Sequence, residues 1–407
     1  MPIRISTSQT FSQGTNSILN NQSKVSQTQL QLSKGTRILK PSDDPIGSAV
    51  ALDLQKQIDN ALQYISNGQT AETKLAIEES SLSNVTDILQ RIRELTLQAA
   101  NATQNQADRA AITVEIKQRL DELVGLGNSQ LANGEYLFSG FKSNVRPFTA
   151  DGTGNISYNG DQGVLNVNVN TSVRVESGNS GDEVFFDIKT GNGSFVAAGD
   201  PSNLGTGVIS SAVLEDPTLY VGDVYTIDFS LNGSGALQYQ ITGANTGPVY
   251  AAPLPLYDED TRVSFNGINY SISGLPSSGD SFTVEPSFRQ SVFATVNQII
   301  TALEIPNSTS TLQATFQNAL NVGLQNLDQA MTHIDEVRAS VGSRLNVIES
   351  ESEINESLKV EAQSALSVVK DLDYAEAITE LNKRTLALQA AQQSFVKVQN
   401  LSLFEFI

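Results

Sequence analysis

The sequence predicts an α+β protein: a long antiparallel helical bundle or coiled-coil body built from both chain ends, carrying an inserted antiparallel β-rich domain. Residues up to about 142 are rich in Gln, Leu, Ala and Ser at helical spacing, and this pattern returns after about residue 288. Residues 143–287 are instead rich in Gly, Asn, Thr, Val and Pro. Apolar residues of the two helical zones repeat every seven residues, which favours helices packed lengthwise.

These composition changes predict three domains. Terminal helical arms comprise residues 1–46 and 365–407, a helical rod comprises 47–142 with 288–364, and 143–287 form the outer β-rich domain. Because the β-rich residues interrupt two helical zones, we expect one helical body made from both ends of the chain.

The predicted rod carries a dense apolar seam. Leu75, Leu82 and Leu89 are spaced by seven residues, and Val85 and Ile92 interleave with them. Downstream, spacings of three and four, interrupted by Arg338, connect Leu320, Leu324, Leu327, Met331, Ile334, Val341, Leu345 and Ile348. An ordinary helical core would make similar contacts, but sustained heptads favour long, nearly parallel helices.

Each arm carries a thinner stripe, and we predict that it forms an assembly interface. The N-terminal stripe contains Phe11, Ile18, Val25, Leu32 and Leu39, with Gly14, Asn21 and Thr28 between them; the C-terminal stripe contains Leu381, Leu388, Phe395 and Val398, followed by Leu401, Leu403, Phe404, Phe406 and Ile407. Ordering a residue costs about 1–2 kcal/mol, whereas burying a large apolar side chain returns about 1.5–3 kcal/mol. We therefore expect arms that are disordered in the monomer and fold on association; packing on their own body is the alternative.

A turn is predicted between the first arm and the rod. Pro41 interrupts the helical pattern, and Pro45 suits the first position of the next helix, where no N–H is needed. Asp44 can cap that helix, and Asp43 adds negative charge near its N-terminus.

The charge and composition of the chain argue against several kinds of binding partner. There are 25 basic and 44 acidic residues, a net charge of −19, which argues against nucleic acid and an anionic membrane surface. Residues 1–40 carry five basic residues and no acid, so this arm could pair with acidic neighbouring subunits or simply be a solvated helix face.

The absence of cysteine excludes disulfides and thiolate metal sites. The start lacks a standard secretory signal, so we expect either a cytosolic protein or export without a cleaved signal.

No pattern predicts an enzyme, a cofactor or a metal site. His333 is the single histidine and lies beside the heptad seam, so we expect a surface helix residue. Asp151, Thr153 and Asn155 begin like a calcium loop but lack its later glycine and glutamate, which favours a turn. The acidic run at residues 258–260 is interpreted as a solvated loop rather than a glycosidase pair.

Three stretches of the middle zone predict antiparallel strands. Apolar residues alternate with polar ones in "VLNVNVN" (164–170) and "VYTIDFSLNG" (224–233). In "VSFNGINYSI" (263–272), Asn266-Gly267 separates two short alternating runs, which is a strong hairpin signal.

Several long segments resemble the bacterial flagellin family. Residues 32–58 are similar to its N-terminal signature, in which a "DDP" turn precedes an alanine-rich helix. "IRELTLQAANATQNQADRAAITVEIKQRLDEL" and "VRASVGSRLNVIES" resemble its later helical segments. Within the family, "NGEYLFSGFK", "YNGDQG" and residues 371–407 are most similar to the hook–filament junction branch. The resemblance covers roughly residues 1–142 and 288–407.

The resemblance implies a structural role in the extracellular bacterial flagellum. Family members leave the cell unfolded through the flagellar type III apparatus, and their terminal arms form an inner helical domain. The junction branch implies a ring that adapts hook-associated protein 1 to the flagellin filament, and an export chaperone that binds the C-terminal arm. Two alternatives stay open: a flagellin filament subunit, and a surface glycan-binding or hydrolytic β domain.

Overall fold

Helices from both ends of the chain and an antiparallel β-rich insertion make up the protein, which confirms the predicted fold class. The computed structural model describes residues 7–101, 104–152, 154–259, 262–306 and 308–400. The helices are α1 (Thr7–Lys34), α2 (Pro45–Ala100), α3 (Gln106–Gly127), α4 (Gly181–Phe185), α5 (Val292–Leu303), α6 (Ser310–Lys370) and α7 (Tyr374–Asn400). Across these ranges, no helix has the length and apolar character that crossing a membrane requires.

The strands are mostly short. They are β1 (Phe148–Ala150), β2 (Ile156–Tyr158), β3 (Asn166–Asn168), β4 (Arg174–Glu176), β5 (Ile188–Lys189), β6 (Phe195–Gly199), β7 (Val208–Ile209), β8 (Val213–Leu214), β9 (Tyr225–Leu231), β10 (Leu237–Gly243), β11 (Gly247–Pro248), β12 (Arg262–Phe265), β13 (Ile268–Ser273), β14 (Ser281–Pro286) and β15 (Arg289–Gln290).

The chain divides into two compact units. Unit 1 comprises Met1–Ser66 and Glu351–Ile407, of which residues 7–66 and 351–400 are described, and unit 2 comprises Asn67–Ser350. Helices α2 and α6 contribute to both units. The three predicted domain boundaries remain predictions.

Unit 2 contains the dense heptad seam. Leu75, Leu82 and Leu89 of α2 are completely buried, and they share one core cluster with Leu320, Leu327 and Ile334 of α6. Arg338, which interrupts the seam, donates two hydrogen bonds to Glu79 of α2, at 2.8 and 3.0 Å. The interruption is therefore an ion pair between the two helices.

An aromatic cluster joins the helical core to the first part of the insertion. The ring of Phe293 lies 5.3 Å from that of Phe148 and 5.6 Å from that of Phe185. The helical zone also ends earlier than predicted: α3 stops at Gly127 rather than near residue 142. Asn128 explains the stop, because its amide donates to the carbonyls of Val124 and Phe148 and accepts from the Phe148 N–H.

A second core fills the rest of the insertion. One sheet has the strand order β11-β10-β9-β14-β6, with neighbours antiparallel, and β9 lies at its centre. Tyr225, Ile227 and Phe229 point into this core, as their alternation predicts. The predicted hairpin is also present: β12 pairs with β13 around Asn266 and Gly267, whose φ angles of 44° and 76° suit a type I′ turn. The stretch 164–170 forms only the three-residue strand β3.

Candidate assembly interface

The two predicted arms are helices that pack against each other within unit 1. Phe11 near the start of α1 contacts Phe395 near the end of α7, with ring centroids 5.1 Å apart. Gly35, just after α1, lies against the hydroxyl of Tyr374, the first residue of α7. The pair is therefore antiparallel.

The seam of this pair follows the predicted heptads, but its side chains are only half-buried. Ile18, Val25, Leu32, Leu381, Leu388 and Phe395 are all intermediate in exposure. Phe11 remains 51% exposed and Val398 49% exposed. Leu401, Leu403, Phe404, Phe406 and Ile407 lie outside the described residues. That these residues contact neighbouring subunits stays a prediction.

A close approach allows the helices to meet near their free ends. A Cβ atom added to Gly14 would lie 2.6 Å from Cδ2 of Phe395. This is well inside ordinary contact distance, so a larger residue at position 14 would force the ring away. The small seam residue thus has a packing reason that composition alone did not reveal.

A polar contact occupies the middle of the seam. One guanidinium nitrogen (Nη1) of Arg384 donates to Oγ1 of Thr28 at 2.8 Å and to the carbonyl of Lys24 at 3.1 Å. Its Nε donates to Glu380 at 2.8 Å, and this hydrogen bond, the largest cause, lowers the pKa of Glu380. Thr28 is only 2% exposed and also donates to the Lys24 carbonyl. Sequence reasoning noted Thr28 as a polar seam position but missed Arg384.

The predicted turn at residues 41–45 has the expected local chemistry. Pro45 is the first residue of α2, and Oδ1 of Asp44 accepts a hydrogen bond from the Gly47 N–H at 2.8 Å. Asp43 faces the other way, because its Oδ2 accepts from the N–H groups of Leu39 and Lys40. Asp43 therefore holds the preceding loop as well as adding charge near the helix start.

The loop after α1 is tied to the loop before α7. The Arg37 N–H donates to the Lys370 carbonyl at 2.8 Å, and its guanidinium donates to the Val369 carbonyl at 2.8 Å. The Leu372 N–H donates to the Gly35 carbonyl at 3.0 Å. These bonds, which sequence reasoning did not find, fix the two arms to the same place on unit 1.

Leu39 and Pro41 line a small pocket at this place. The pocket has a volume of about 260 Å³ and is also lined by Leu52 and Leu366. Leu39 is half-buried there, whereas Pro41 is exposed. Leu39 therefore leaves the α1 seam and packs near the junction instead.

The other sequence candidates lie outside this interface. Nε2 of His333 lies 2.8 Å from the Glu183 carbonyl, and the residue is half-buried rather than fully exposed. Asp151 accepts from the Asn155 N–H in the turn between β1 and β2, and Thr153 lies outside the described residues. Asp258 and Glu259 are exposed, and Asp260 is likewise outside. Within the described ranges, no group of three or more His, Cys, Asp or Glu residues is arranged to hold a metal ion.

One buried carboxylate in unit 2 was not anticipated. Glu78 is 0% exposed, and burial is the largest of the effects that raise its pKa to about 7. The Asn179 N–H donates to its Oε1 at 3.1 Å, while the charges of Arg344 and Lys74 act in the opposite direction to burial. Its position between apolar heptad residues gave no separate signal.

Comparison with known proteins places both helical zones in one family. Residues 5–143 match the family described as bacterial flagellin N-terminal helical region, and residues 324–407 match bacterial flagellin C-terminal helical region. Flagellar hook-associated protein 3 of Escherichia coli K12 is 25% identical over 99% of both chains. The crystal structure of flagellar hook-associated protein-3 from Legionella pneumophila is 34% identical, covers 78% of this chain and 98% of its own, and superposes with a TM-score of 0.75.

The chain belongs to the flagellar hook-associated protein 3 family. FlgL of Xanthomonas campestris is also similar, at 29% identity and a TM-score of 0.70, with 77% of this chain and 99% of that chain covered. The flagellar hook-associated protein 3 family consists of flagellar structural proteins related to flagellin. This confirms the resemblance found in the sequence.

Proposed function

We propose that this chain forms the junction ring of the bacterial flagellum, between hook-associated protein 1 and the flagellin filament. It assembles by coupled folding and association of its terminal arms. The observation that carries the proposal is the α1–α7 pair, whose heptad seams are only half-buried in a single chain. Apolar seams that one chain leaves half-exposed gain stability when further copies cover them.

The surface of unit 1 supports association beyond the seam. Large apolar side chains are exposed on several of its helices: Leu19, Leu30, Ile46, Leu52, Leu358, Val368, Ile378 and Leu386. A monomer with this much exposed apolar surface on unit 1 would be prone to associate. Packing among copies in a ring removes that surface from water.

Export and localisation form part of the same proposal. We infer that the chain leaves the cell through the flagellar type III apparatus and acts in the extracellular flagellum. An export chaperone that binds the C-terminal arm would keep Leu381, Leu388 and Phe395 from associating early. The thin seam supports this, because arms that are weakly held are easily unfolded for passage.

Removing residues 395–407 tests the role of the arms. The truncated chain should still be secreted with unit 2 folded, because the cores of unit 2 use no residue of α7. It should fail to support filaments, since Phe395 and the following apolar residues are lost. Circular dichroism of the secreted protein and electron microscopy of hook ends measure the two properties; normal filaments on the truncated protein would refute the assembly role.

Two further measurements separate the proposal from its rivals. A flagellin seeded with filament fragments grows long filaments, whereas a junction protein should not. Hydrogen exchange should show fast exchange in α1 and α7 of the dilute chain and strong protection after assembly. Equal protection in both states would contradict coupled folding while leaving the flagellar role intact.

A further inference from the structure

The apolar stripes of the two arms do not specify how the arms align. Phe11, Ile18, Val25 and Leu32 are spaced by seven residues, and so are Leu381, Leu388 and Phe395. If α7 slides by seven residues along α1, the two apolar stripes again lie along each other, although Phe395 then leaves Gly14. A polar contact can add to this one close approach in distinguishing the observed register from its neighbours.

The polar contact in the middle of the seam depends on Arg384, the single arginine in the sequence of α1 and α7. In the observed register Arg384 reaches both Oγ1 of Thr28 and the Lys24 carbonyl. A shift of seven residues brings Arg384 to the level of Asn21 or of Gly35. Gly35 has no side-chain acceptor, and Asn21 offers a less enclosed amide oxygen in place of the buried hydroxyl of Thr28, so neither shifted level reproduces the observed contact.

The loss of this contact costs free energy because Thr28 and Arg384 are largely shielded from water. Thr28 is the most enclosed of the described seam residues of α1, and the side chain of Arg384 is 29% exposed. Thr28 uses its hydroxyl twice, donating to Lys24 and accepting from Arg384. In the shifted register a residue other than Arg384 would face this site, and Arg384 would be partly desolvated without these partners.

We propose that Arg384, through Thr28, sets the register in which α1 and α7 pair, and so determines which arm alignment enters the assembly. The inference rests on the proposed pairing of the arms during assembly. A single polar position within an apolar helical seam is a known way to fix register at some expense of stability. Gly14, which admits the ring of Phe395, agrees with the same alignment.

Cysteine cross-linking tests the register directly, because the chain contains no native cysteine. Ile18 lies four residues after Gly14, and Ala391 lies four residues before Phe395, so the antiparallel pair brings Ile18 and Ala391 to one level. The pair I18C/A391C reports the observed register. The pairs I18C/V398C and F11C/A391C report shifts of seven residues in the two directions. Full-length chains are assembled into flagella, oxidised and separated without reductant.

With Arg384 present, the in-register pair should cross-link at least about tenfold more than either shifted pair, as expected for losing hydrogen bonds to a partly buried charge. The double variant Arg384→Met with Thr28→Val keeps side-chain bulk and removes the polar contact. It should raise the shifted cross-links severalfold relative to the in-register one, while the packing of Phe395 on Gly14 retains a smaller preference. Lys383→Met, on the exposed face beside Arg384, removes the same charge and should leave the tenfold preference intact.

The exchange variant Thr28→Arg with Arg384→Thr decides the case if the double variant does not assemble. It restores one arginine and one threonine to the same seam level, and it should recover both assembly and the in-register preference. Two results would overturn the role of Arg384. Either the Met/Val variant keeps the tenfold preference, or the exchange variant does not recover it. If the chain that retains Arg384 and Thr28 forms no cross-link between I18C and A391C, the pairing of the arms in the proposed function is refuted instead.

Discussion

The heptad helices of unit 2 and the arms of unit 1 share one sequence period but differ in burial. In unit 2, Leu75, Leu82 and Leu89 are completely buried, and a second row of apolar residues lies between them. In unit 1, Val25 and Leu388 follow the same spacing and are only half-buried. The period therefore predicts which face a helix buries, whereas the number of apolar residues per heptad determines how completely it is buried.

The difference has an energetic consequence. Two large apolar residues per heptad return about twice the free energy of one, and side chains of α3 and α5 join the same core. One residue per heptad leaves each arm dependent on further contacts. We infer that stability of the free chain resides in unit 2 and that assembly resides in the arms.

The largest loss of stability is expected at the centre of the unit 2 core. Phe293→Ala removes a ring that is 1% exposed and that contacts Phe148 and Phe185. The free energy of unfolding should fall by about 3–5 kcal/mol, because the cavity cannot be refilled. Urea unfolding of the full chain, followed by far-UV circular dichroism, measures the change. Phe288→Ala is the matched control, since Phe288 is 52% exposed and should cost far less.

The buried carboxylate of Glu78 tests how completely the core of unit 2 excludes water. The pKa of Glu78 is raised from 4.5 to about 7. The protonated form thus stabilises the fold below about pH 4.5, and this stability is lost as pH rises through 7. Glu78→Gln should remove this dependence, so the variant should gain about 3 kcal/mol relative to the unaltered chain between pH 5 and 8.

Urea midpoints of the two proteins across that range measure the effect, and titrations common to both cancel in the difference. Glu72→Gln, at an exposed position of the same helix, should leave the pH profile unaltered. If Glu78→Gln follows the same pH profile as the unaltered protein, Glu78 is already solvated and the unit 2 core is less dry than its burial indicates.

Local patterns made much of the fold accessible from the sequence. Heptads located α2 and α6, alternation located β9, and Asn266-Gly267 located the β12–β13 hairpin. Each of these signals lies within a short window of the chain. The same windows also gave the helix start at Pro45 and the seam faces of both arms.

Contacts between distant residues were not accessible in this way. The bonds of Arg37 to residues 369 and 370 and of Arg384 to Thr28 join positions more than 300 residues apart. Nothing near Arg384 in the sequence distinguishes it from a solvated helix residue. The early end of α3 was missed for the same reason, since Asn128 stops the helix partly through bonds to Phe148.

The junction between the arm and α2 should show an intermediate effect. Asp44→Ala removes the cap on Gly47 and the contact of 3.3 Å with Arg37, and it should destabilise the start of α2 by about 1 kcal/mol. Hydrogen exchange of the first turn of α2 measures this locally. Asp44→Asn retains a capping oxygen and should reduce the stability of the first turn much less. Equal reductions in the two variants would show that the ion pair with Arg37 contributes more than the cap.

The smallest effect on the free chain is expected in the arm seam. Leu388→Ala shortens a half-buried side chain of α7, so the unfolding midpoint of the dilute protein should change by less than about 1 kcal/mol. Assembly should nevertheless fail or weaken strongly, because every copy in the proposed ring would lack the same contact. Leu386→Ala, a matched change at a residue 68% exposed and off the seam, separates seam packing from outer contacts. If Leu388→Ala destabilised the dilute chain as much as Phe293→Ala, the arms would already be packed before assembly, and the contrast between the two units would disappear.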